Sequence, residues 1–320
     1  MGLVVITGAG GYLGGLLAEA YARQLGAARV RCVVRQYSHA DRLSALGFQV
    51  VSGDLMEAGA CESAMADADV VIHAAARLGS GLPAEFFEVN RWMTGWLSEA
   101  ALKARARLVY VSTIEAYGSF AGRTLTEDQP HIDNDYPYSS SKYAGEQELS
   151  RIYRQAGSKN FSIVRPGMIY GPTSPYWTRR YLQKAAQGSI GVLGDGGRIF
   201  PVFDADVVHA VMTAAAADQA RGQTYNLVND ERLTWWDWAH AHHMLADRGA
   251  PHRESVAALR IRSALRHKLG RPTLARRLEV ELRRAEIPHG KAAEELGWRP
   301  RRFRAGLVDC VPGRQQDETS

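Results

Sequence analysis

The chain has 320 residues, of which 46% are hydrophobic and 23% charged, and its formal net charge is +5. This length and composition predict one or two domains with a large core. No apolar run approaches the roughly 18 residues of a membrane-spanning helix, and no basic secretory-signal region precedes the first predicted strand. Cys32, Cys61 and Cys310 are few and far apart, which predicts buried reduced thiols, no metal site and a cytoplasmic protein.

The positive charge is concentrated late in the chain. Residues 251–320 contain 16 Lys/Arg and 9 Asp/Glu, and much of the excess lies between Leu259 and Arg284. A solvated helix face is the simplest interpretation. An anionic substrate or surface near the active site is a second one. We expect no nucleic-acid partner, because no recognised binding motif accompanies the charge.

The first predicted strand covers residues 3–6 and leads directly into the glycine-rich stretch TGAGGYLG. A segment with helical apolar spacing follows and ends at Gly26, a typical C-cap residue. At such a turn, backbone N–H groups and the helix dipole can hold a phosphate. Gly8 allows the tight turn, Gly11 leaves room for a pyrophosphate, and Gly14 lets the helix pack against the strand. An ordinary glycine-rich turn is the alternative.

Strands and helices alternate through the first half of the chain. The further predicted strands are RVRCVVR, FQVVSGDL, ADVVIHAAA, RLVYVST and NFSIVRPG, and the longest later helical segments are EFFEVNRWMTGWLSEAALKARA and YSSSKYAGEQELSRIYRQAG. The alternation predicts an α/β fold, a Rossmann-type doubly wound parallel sheet over residues 1–170.

The regular alternation stops after residue 170. Residues 171–312, with strand-like pieces near Ile199–Phe203 and Thr224–Leu227, predict a smaller mixed α/β lobe that binds substrate at the carboxyl end of the sheet. Some of its segments are expected to return to the first domain. Residues 313–320 are polar and predict a frayed tail.

The segment PYSSSKYAGEQ contains the residues best suited to chemistry. Tyr138 and Lys142 are four residues apart, so on a helix they share one face. A nearby ammonium lowers the pKa of a tyrosine from its ordinary value of about 10. Thr113 ends the fifth strand and offers a hydroxyl to hold a substrate oxygen; turn capping is its alternative role. Glu115 follows, as a base or a solvated loop charge.

Seven motifs occur in a consistent order: TGAGGYLG, GDL, HAAA, VSTIEAYG, YSSSK, RPGMIYGP and LGWRP. From Val4 to about Leu307 the sequence therefore resembles the extended short-chain dehydrogenase/reductase family, the NAD(P)-dependent epimerase/dehydratase group. The resemblance implies that Tyr138 is the acid/base, Lys142 its electrostatic partner and ribose contact, and Thr113 the group that orients a carbonyl. It implies further cofactor contacts from Gly8, Gly11, Tyr12, Leu13, Asp54, Leu55, Ala74 and Ala75.

The end of the second strand predicts which nicotinamide cofactor is used. An acid there accepts a hydrogen bond from the ribose 2′-OH of NAD, whereas an arginine suits the 2′-phosphate of NADP. Arg35 stands at this position, and a guanidinium can meet a phosphate bidentately. We therefore predict NADP(H) as the preferred cofactor, with NAD(H) possible.

Two departures from the family pattern bear on the reaction. Ile114-Glu115 follow Thr113 where sugar-nucleotide dehydratases carry Asp-Glu. Met168 stands where many sugar-nucleotide enzymes have Asn, and a thioether cannot donate a hydrogen bond. The sequence favours an NADP(H)-dependent oxidoreductase that interconverts a secondary alcohol and a ketone on a small molecule, with Thr113, Glu115 and Met168 near the substrate.

Two alternatives stay open. One is an NAD-dependent epimerase or dehydratase of a nucleotide-linked or other anionic sugar, and the other is a non-catalytic NADP-binding regulatory protein. The family resemblance also implies a homodimer formed by the helix around Trp92–Lys103 and the helix after Tyr138. Core packing would produce the same apolar faces.

The stretch WWDWAHAHHMLADRG contains three histidines, His240, His242 and His243. On a helix, His242 does not share the face of the other two, so we expect no metal site there. Tyr176, Trp177 and Tyr181 either line the substrate cleft or pack between the lobes.

Overall fold

The computed structural model describes residues 2–229 and 231–311. The predicted tail at 313–320 lies outside the described residues. The strands are β1 (Val4–Thr7), β2 (Val30–Val34), β3 (Gln49–Ser52), β4 (Val70–His73), β5 (Arg107–Val111), β6 (Phe161–Pro166), β7 (Met168–Tyr170), β8 (Gly191–Leu193), β9 (Pro201–Phe203), β10 (Gln223–Leu227) and β11 (His252–Glu254). Seven of them form one parallel sheet in the order β10-β6-β5-β4-β1-β2-β3. The predicted Rossmann-type sheet is therefore confirmed.

The helices connect and cover these strands. They are α1 (Tyr12–Leu25), α2 (Tyr37–Ala45), α3 (Ala60–Met65), α4 (Pro83–Phe87), α5 (Thr94–Lys103), α6 (Pro137–Gln155), α7 (Arg180–Ala186), α8 (Asp204–Ala216), α9 (Trp235–Leu245), α10 (Val256–Lys268), α11 (Ala275–Glu281), α12 (Gly290–Leu296) and α13 (Phe303–Val308). A π-helical turn, Glu88–Met93, joins α4 to α5, so the helix predicted over residues 85–106 is interrupted. In the described residues, no helix has the length and apolar character needed to cross a membrane.

Both faces of the sheet are buried, as expected for parallel strands with crossover helices. Successive side chains of a strand point to opposite faces. Val4 and Ile6 accordingly pack on one side with Leu17 of α1. Val5 packs on the other side with Leu149 of α6. The three cysteines are unpaired and buried in these layers and in the second lobe, as predicted.

The second lobe is built around an aromatic core. Trp177 and Tyr181 stack at 5.8 Å between ring centroids, and both pack against Trp238 of α9. These two rings therefore belong to the packing of the lobe, while Tyr176 is exposed. The strands here form two short parallel pairs, β7 with β9 and β8 with β11.

Part of the chain after residue 170 returns to the main sheet. The strand predicted near Thr224–Leu227 is β10, which pairs with β6 at the edge of the seven-stranded sheet. Helix α8 contributes Val207 and Val211 to the core beside β1. Helix α8 and β10 therefore belong to the core of the main sheet although they follow residue 170 in the chain.

Candidate active site

The glycine-rich stretch forms the turn between β1 and α1. Gly8 has a φ of +71°, which favours glycine, and the Cβ of any other residue at position 14 would collide with the carbonyl oxygen of Gly8. Helix α1 begins with no side-chain cap and no acidic residue in its first turn. Its first N–H groups therefore remain available for an anion, so the turn fits a pyrophosphate.

The ends of β1 and β4 are tied together beside this turn. The backbone N–H of Ala74 donates to the carbonyl oxygen of Thr7 at 3.3 Å, and that of Ala75 donates to Thr7 Oγ1 at 3.3 Å. The predicted Ala74 and Ala75 contacts therefore lie at the same sheet edge as Gly8. A Cβ on Gly8 would also meet the backbone of Ala75, which leaves no room for a larger residue.

The remaining predicted cofactor residues follow the neighbouring strands. Arg35 comes directly after β2, is exposed, and has no ion-pair partner among the described residues. Asp54 and Leu55 follow β3; Asp54 Oδ1 accepts from the N–H of Met56 at 3.0 Å, and Leu55 is buried. Leu13 is half-buried in the first turn of α1. Because the sheet is parallel, all of these residues lie at its carboxyl edge.

The side chain of Tyr12 is used to join the two lobes. Its hydroxyl donates to Asp204 Oδ2 at 2.6 Å, at the first residue of α8. Burial and the bond to Asp204 raise the pKa of Tyr12 above its ordinary value. Because the hydroxyl is engaged by Asp204, only the backbone N–H of Tyr12, at the start of α1, is left to contact a phosphate.

The three predicted catalytic residues meet at the end of β5. Thr113 precedes a short 3-10 turn, and its Oγ1 accepts from the N–H of Glu115 at 3.2 Å. The same hydroxyl lies near the phenol of Tyr138 and opposes the rise in the pKa of that phenol. Thr113 therefore caps the turn, and its role in holding a substrate oxygen stays a prediction.

Helix α6 is fastened to the end of β5 by one of its faces. Ser139 Oγ donates to the carbonyl oxygen of Glu115, Lys142 Nζ donates to that of Val111 at 2.8 Å, and Ser112 Oγ donates to Glu146 Oε1 at 2.5 Å. Residues 139, 142 and 146 are spaced i, i+3 and i+7, which places them on one helix face. These bonds fix the position of Tyr138 at the first turn.

Glu146 also forms a buried ion pair that sequence reasoning missed. Arg165 of β6 donates from Nε to Oε1 at 3.0 Å and from Nη2 to Oε2 at 2.6 Å. The Arg165 guanidinium carbon lies 4.6 Å from the ring centroid of Tyr117. The sequence did contain a signal for Glu146, because Tyr138, Lys142 and Glu146 are each four residues apart. This spacing places Glu146 on the same helix face, one turn beyond Lys142.

The pKa values of Tyr138 and Lys142 are both displaced towards their neutral forms. Burial lowers the pKa of Lys142 to about 7, against an opposing effect of Glu146. Burial, with Glu115 and Tyr136, raises the pKa of Tyr138 above its ordinary value. This direction is opposite to the one expected from a nearby lysine, because the Lys142 amine is directed at Val111 and the Tyr110 ring.

Glu115 forms ion pairs with two arginines from the positively charged stretch between Leu259 and Arg284, which is called the basic segment below. Arg283 donates from Nη1 to Oε1 at 2.7 Å and from Nη2 to Oε2 at 3.0 Å, and Arg276 of α11 also donates to Oε2. Burial alone would raise the pKa of Glu115, but the two guanidinium groups outweigh it and lower the pKa to about 2. The carboxylate is therefore ionised and paired, not a solvated loop charge.

The basic segment thus divides into two parts with different surroundings. Arg276 and Arg283 reach the site, and Arg277 pairs with Glu254 and Glu281. Helix α10, in contrast, is exposed along most of its length. The two leading interpretations of this charge, a site contact and a solvated face, apply to different stretches of it.

Met168 begins β7, which pairs with β9. It is half-buried, and its backbone N–H donates to the carbonyl oxygen of Phe200 at 2.8 Å. The backbone of Met168 is therefore bonded to the second lobe, and its thioether side chain has no hydrogen-bond donor to offer a substrate.

A buried histidine lies beneath the site. His73 bonds through Nδ1 to Thr7 Oγ1 at 2.7 Å and through Nε2 to Thr94 Oγ1 at 3.0 Å, and its ring stacks on Tyr110. Burial lowers the pKa of His73 to about 3, so the imidazole is neutral. It connects the strand that carries the glycine turn to helix α5.

Asn90 supports α6 from the π-helical turn. Its Nδ2 donates to Ser141 Oγ at 3.0 Å, and Ser141 Oγ donates to the carbonyl oxygen of Tyr138 at 3.0 Å. Its Oδ1 accepts from the N–H of Arg77 at 2.8 Å. Asn90 is buried and supports the fold of α6, and it lies one hydrogen-bonded residue away from Tyr138.

The three histidines of α9 do not converge. His242 and His243 are buried, and their Nδ1 atoms bond to the carbonyl oxygens of Trp238 at 2.8 Å and Gly249 at 2.7 Å. Across residues 2–229 and 231–311, no group of three or more His, Cys, Asp or Glu side chains is placed to hold a metal ion.

The fold and this arrangement define an NAD(P)-binding enzyme of the short-chain dehydrogenase/reductase class. Residues 4–228 match the model of the NAD dependent epimerase/dehydratase family, and the chain belongs to that family. Its parallel sheet, glycine turn and Thr113, Tyr138 and Lys142 lie within or beside the matched range.

Curated relatives perform more than one reaction. The chain is 28% identical over 250 residues to 2-alkyl-3-oxoalkanoate reductase of Shewanella oneidensis, covering 72% of this chain and 62% of the reductase. It is 28% identical over 329 residues to dTDP-glucose 4,6-dehydratase of Streptomyces antibioticus, covering 96% of this chain and 91% of the dehydratase. The chain thus spans less than two thirds of the length of that reductase.

The solved structure of MoeE5 in complex with UDP-glucose and NAD has the same fold. It superimposes with a TM-score of 0.74 at 22% identity, covering 96% of this chain and 97% of that chain. Family and fold define the class of enzyme, and the choice of reaction depends on the site.

Proposed function

We propose that the protein is an NADP(H)-dependent oxidoreductase that interconverts a secondary alcohol and a ketone on a small-molecule substrate. The observation that carries this proposal is the engagement of Glu115 by Arg276 and Arg283. A carboxylate that is paired with two guanidinium groups and has a pKa of about 2 is a poor base near neutral pH, so Glu115 is unsuited to elimination or deprotonation at carbon. Carbonyl reduction needs only a hydride and a proton donor.

Tyr138 is the proposed proton donor. Its raised pKa keeps the phenol protonated, and the nearby Thr113 hydroxyl is the proposed second group that holds a carbonyl oxygen. The nicotinamide supplies the hydride when bound. Lys142, directed along the end of β5, is the proposed ribose contact. In the reverse direction the phenolate form of Tyr138 takes the proton from the alcohol.

The cofactor preference is proposed from the second strand. Arg35 is exposed and unpaired within the described ranges, directly beyond β2, so its guanidinium is free for a 2′-phosphate. The glycine turn and the uncapped first turn of α1 support the pyrophosphate, with Gly8, Gly11, Tyr12 and Leu13 as its proposed contacts.

Substitution of Tyr138 tests the proposed reaction. With NADPH and a panel of ketones, Tyr138→Phe is expected to lower kcat about 100-fold or more, because the proton donor is lost while the ring is kept. Tyr136→Phe, which changes a neighbouring phenol, is the matched control and should keep kcat within a few fold. Near-normal turnover by Tyr138→Phe with native melting behaviour would rule out this mechanism.

A second candidate is an epimerase of an anionic, nucleotide-linked sugar. Arg276 and Arg283 converge beside Tyr138, and a substrate anion could compete with Glu115 for them. UDP-glucose conversion with tightly retained NAD and no net change in cofactor absorbance would favour this candidate over the reductase.

We also propose a role for the second lobe, an oligomeric state and a cellular location. Residues 171–312, apart from α8 and β10, act as the substrate-binding lobe. A homodimer through the stretch 92–103 and α6 is supported by the exposed Trp92 and Trp96, and light scattering measures its mass. Three unpaired, buried thiols support a reducing, cytoplasmic location.

A further inference from the structure

Helix α10 and its C-cap residue carry three apolar side chains that face away from the protein. Leu259 is 2% exposed and faces the lobe, whereas Ile261, Leu265 and Leu269 are 62%, 54% and 69% exposed. At about 100° per residue, the last three advance by only about 40° from one to the next and form one outward stripe. A surface helix ordinarily turns such a stripe towards the core.

Basic side chains border this stripe on both sides. Arg260 and Arg262 lie about 100° to either side of Ile261 around the helix axis, and Lys268 lies near its C-terminal end. From position 255 to position 278 the sequence has no Asp or Glu. In the described part of the chain, no carboxylate lies within ion-pair distance of these three residues. The stripe and its borders thus carry charge of one sign.

The shape and charge of this surface distinguish between possible occupants. A second copy of α10 would bring like charges together, which opposes self-association through this face. The stripe is the convex ridge of one helix packed on α11, so it offers no groove for a partner helix. A ridge of aliphatic side chains bordered by arginines fits the boundary between headgroups and acyl chains.

We propose that the outward face of α10 docks the protein on an anionic lipid surface. The aliphatic stripe enters the headgroup boundary while Arg260, Arg262 and Lys268 contact lipid phosphates. The helix lies in the plane of the surface and does not span it. This proposal goes beyond the reaction and does not depend on it.

Docking through α10 has a consequence for access to the site. Helix α10 packs against α11, and Arg276 of α11 contacts Glu115 beside Tyr138. A lipid surface at α10 would therefore lie one helix away from the site.

Vesicle co-sedimentation with the purified full-length chain tests the proposal. We expect binding to vesicles of phosphatidylcholine mixed with phosphatidylglycerol, little binding to phosphatidylcholine alone, and weaker binding at high salt. The double variant Ile261→Gln, Leu265→Gln should bind about tenfold more weakly or worse, because it removes two exposed anchors. Arg260→Gln with Arg262→Gln should abolish the preference for anionic vesicles.

Leu46→Gln is the matched control, since Leu46 is an exposed leucine after α2 in the other half of the molecule. It should bind vesicles like the unaltered chain. Circular dichroism and melting curves check that all variants fold. Absence of binding to either vesicle would overturn the proposal in favour of an acidic protein partner. Equal binding to both kinds of vesicle would also overturn the proposal. Unchanged binding by the Ile261/Leu265 variant would do the same. A change in mass by light scattering in that variant would instead identify an interface between copies.

Discussion

Arg35 is the residue at which cofactor choice is most directly testable. It follows β2, and its guanidinium has no ion-pair partner in residues 2–229 and 231–311. Charge-assisted bonds to a 2′-phosphate contribute about 1.5–3 kcal/mol, so Arg35→Asp should lower kcat/KM with NADPH about 10- to 100-fold. The same change should improve use of NADH. Steady-state kinetics with both cofactors measures this preference.

Arg29→Asp provides the control for Arg35. It makes the same change of charge just before β2, at the amino end of the strand and away from the predicted phosphate. Its ratio of activities with NADPH and NADH should stay that of the unaltered chain. An unchanged ratio in Arg35→Asp would contradict the prediction of NADP(H).

At the scale of elements, α6 depends on the buried Glu146–Arg165 pair for its position. Glu146→Gln leaves the buried Arg165 guanidinium without its countercharge, which should lower the free energy of unfolding by about 3 kcal/mol. Urea denaturation followed by tryptophan fluorescence measures the change. Glu99→Gln, an exposed carboxylate on α5, should change it by less than about 0.5 kcal/mol. Equal effects of the two substitutions would show that the pair does not anchor α6.

At the scale of the whole molecule, Glu115 couples acid stability to the contact between the lobes. Its folded-state pKa of about 2 lies below its ordinary value of 4.5, so its contribution is complete above about pH 4.5 and is lost as pH falls towards 2. The shift corresponds to about 3 kcal/mol. The gap in unfolding free energy between the unaltered chain and Glu115→Gln should therefore narrow as pH falls through this window.

Urea unfolding at several pH values measures that gap. Glu62→Gln removes an exposed pair with Lys103 and should show a gap near zero at every pH. A gap for Glu115→Gln that is independent of pH would mean that the arginines do not hold this carboxylate ionised.

The fold and the central part of the site could be predicted because their signals are local. A run of four apolar residues, a glycine turn and a helical period identify β1 and α1 from a few neighbouring residues. The spacing of Tyr138 and Lys142 places both on one helix face wherever the helix packs. The position of Thr113 follows from its place at the end of a strand.

The sequence by itself therefore determined the sheet, the glycine-rich turn and the placement of Thr113, Tyr138 and Lys142 near the end of β5. Only the tertiary structure decided what surrounds them. Glu115 meets Arg276 and Arg283 across separations of 161 and 168 residues, and periodicity carries no information about such pairs. The face that α10 turns outward likewise depends on which side docks through Leu259. Local patterns specify elements, whereas the charge and burial of a side chain are set by whichever distant elements fold against it.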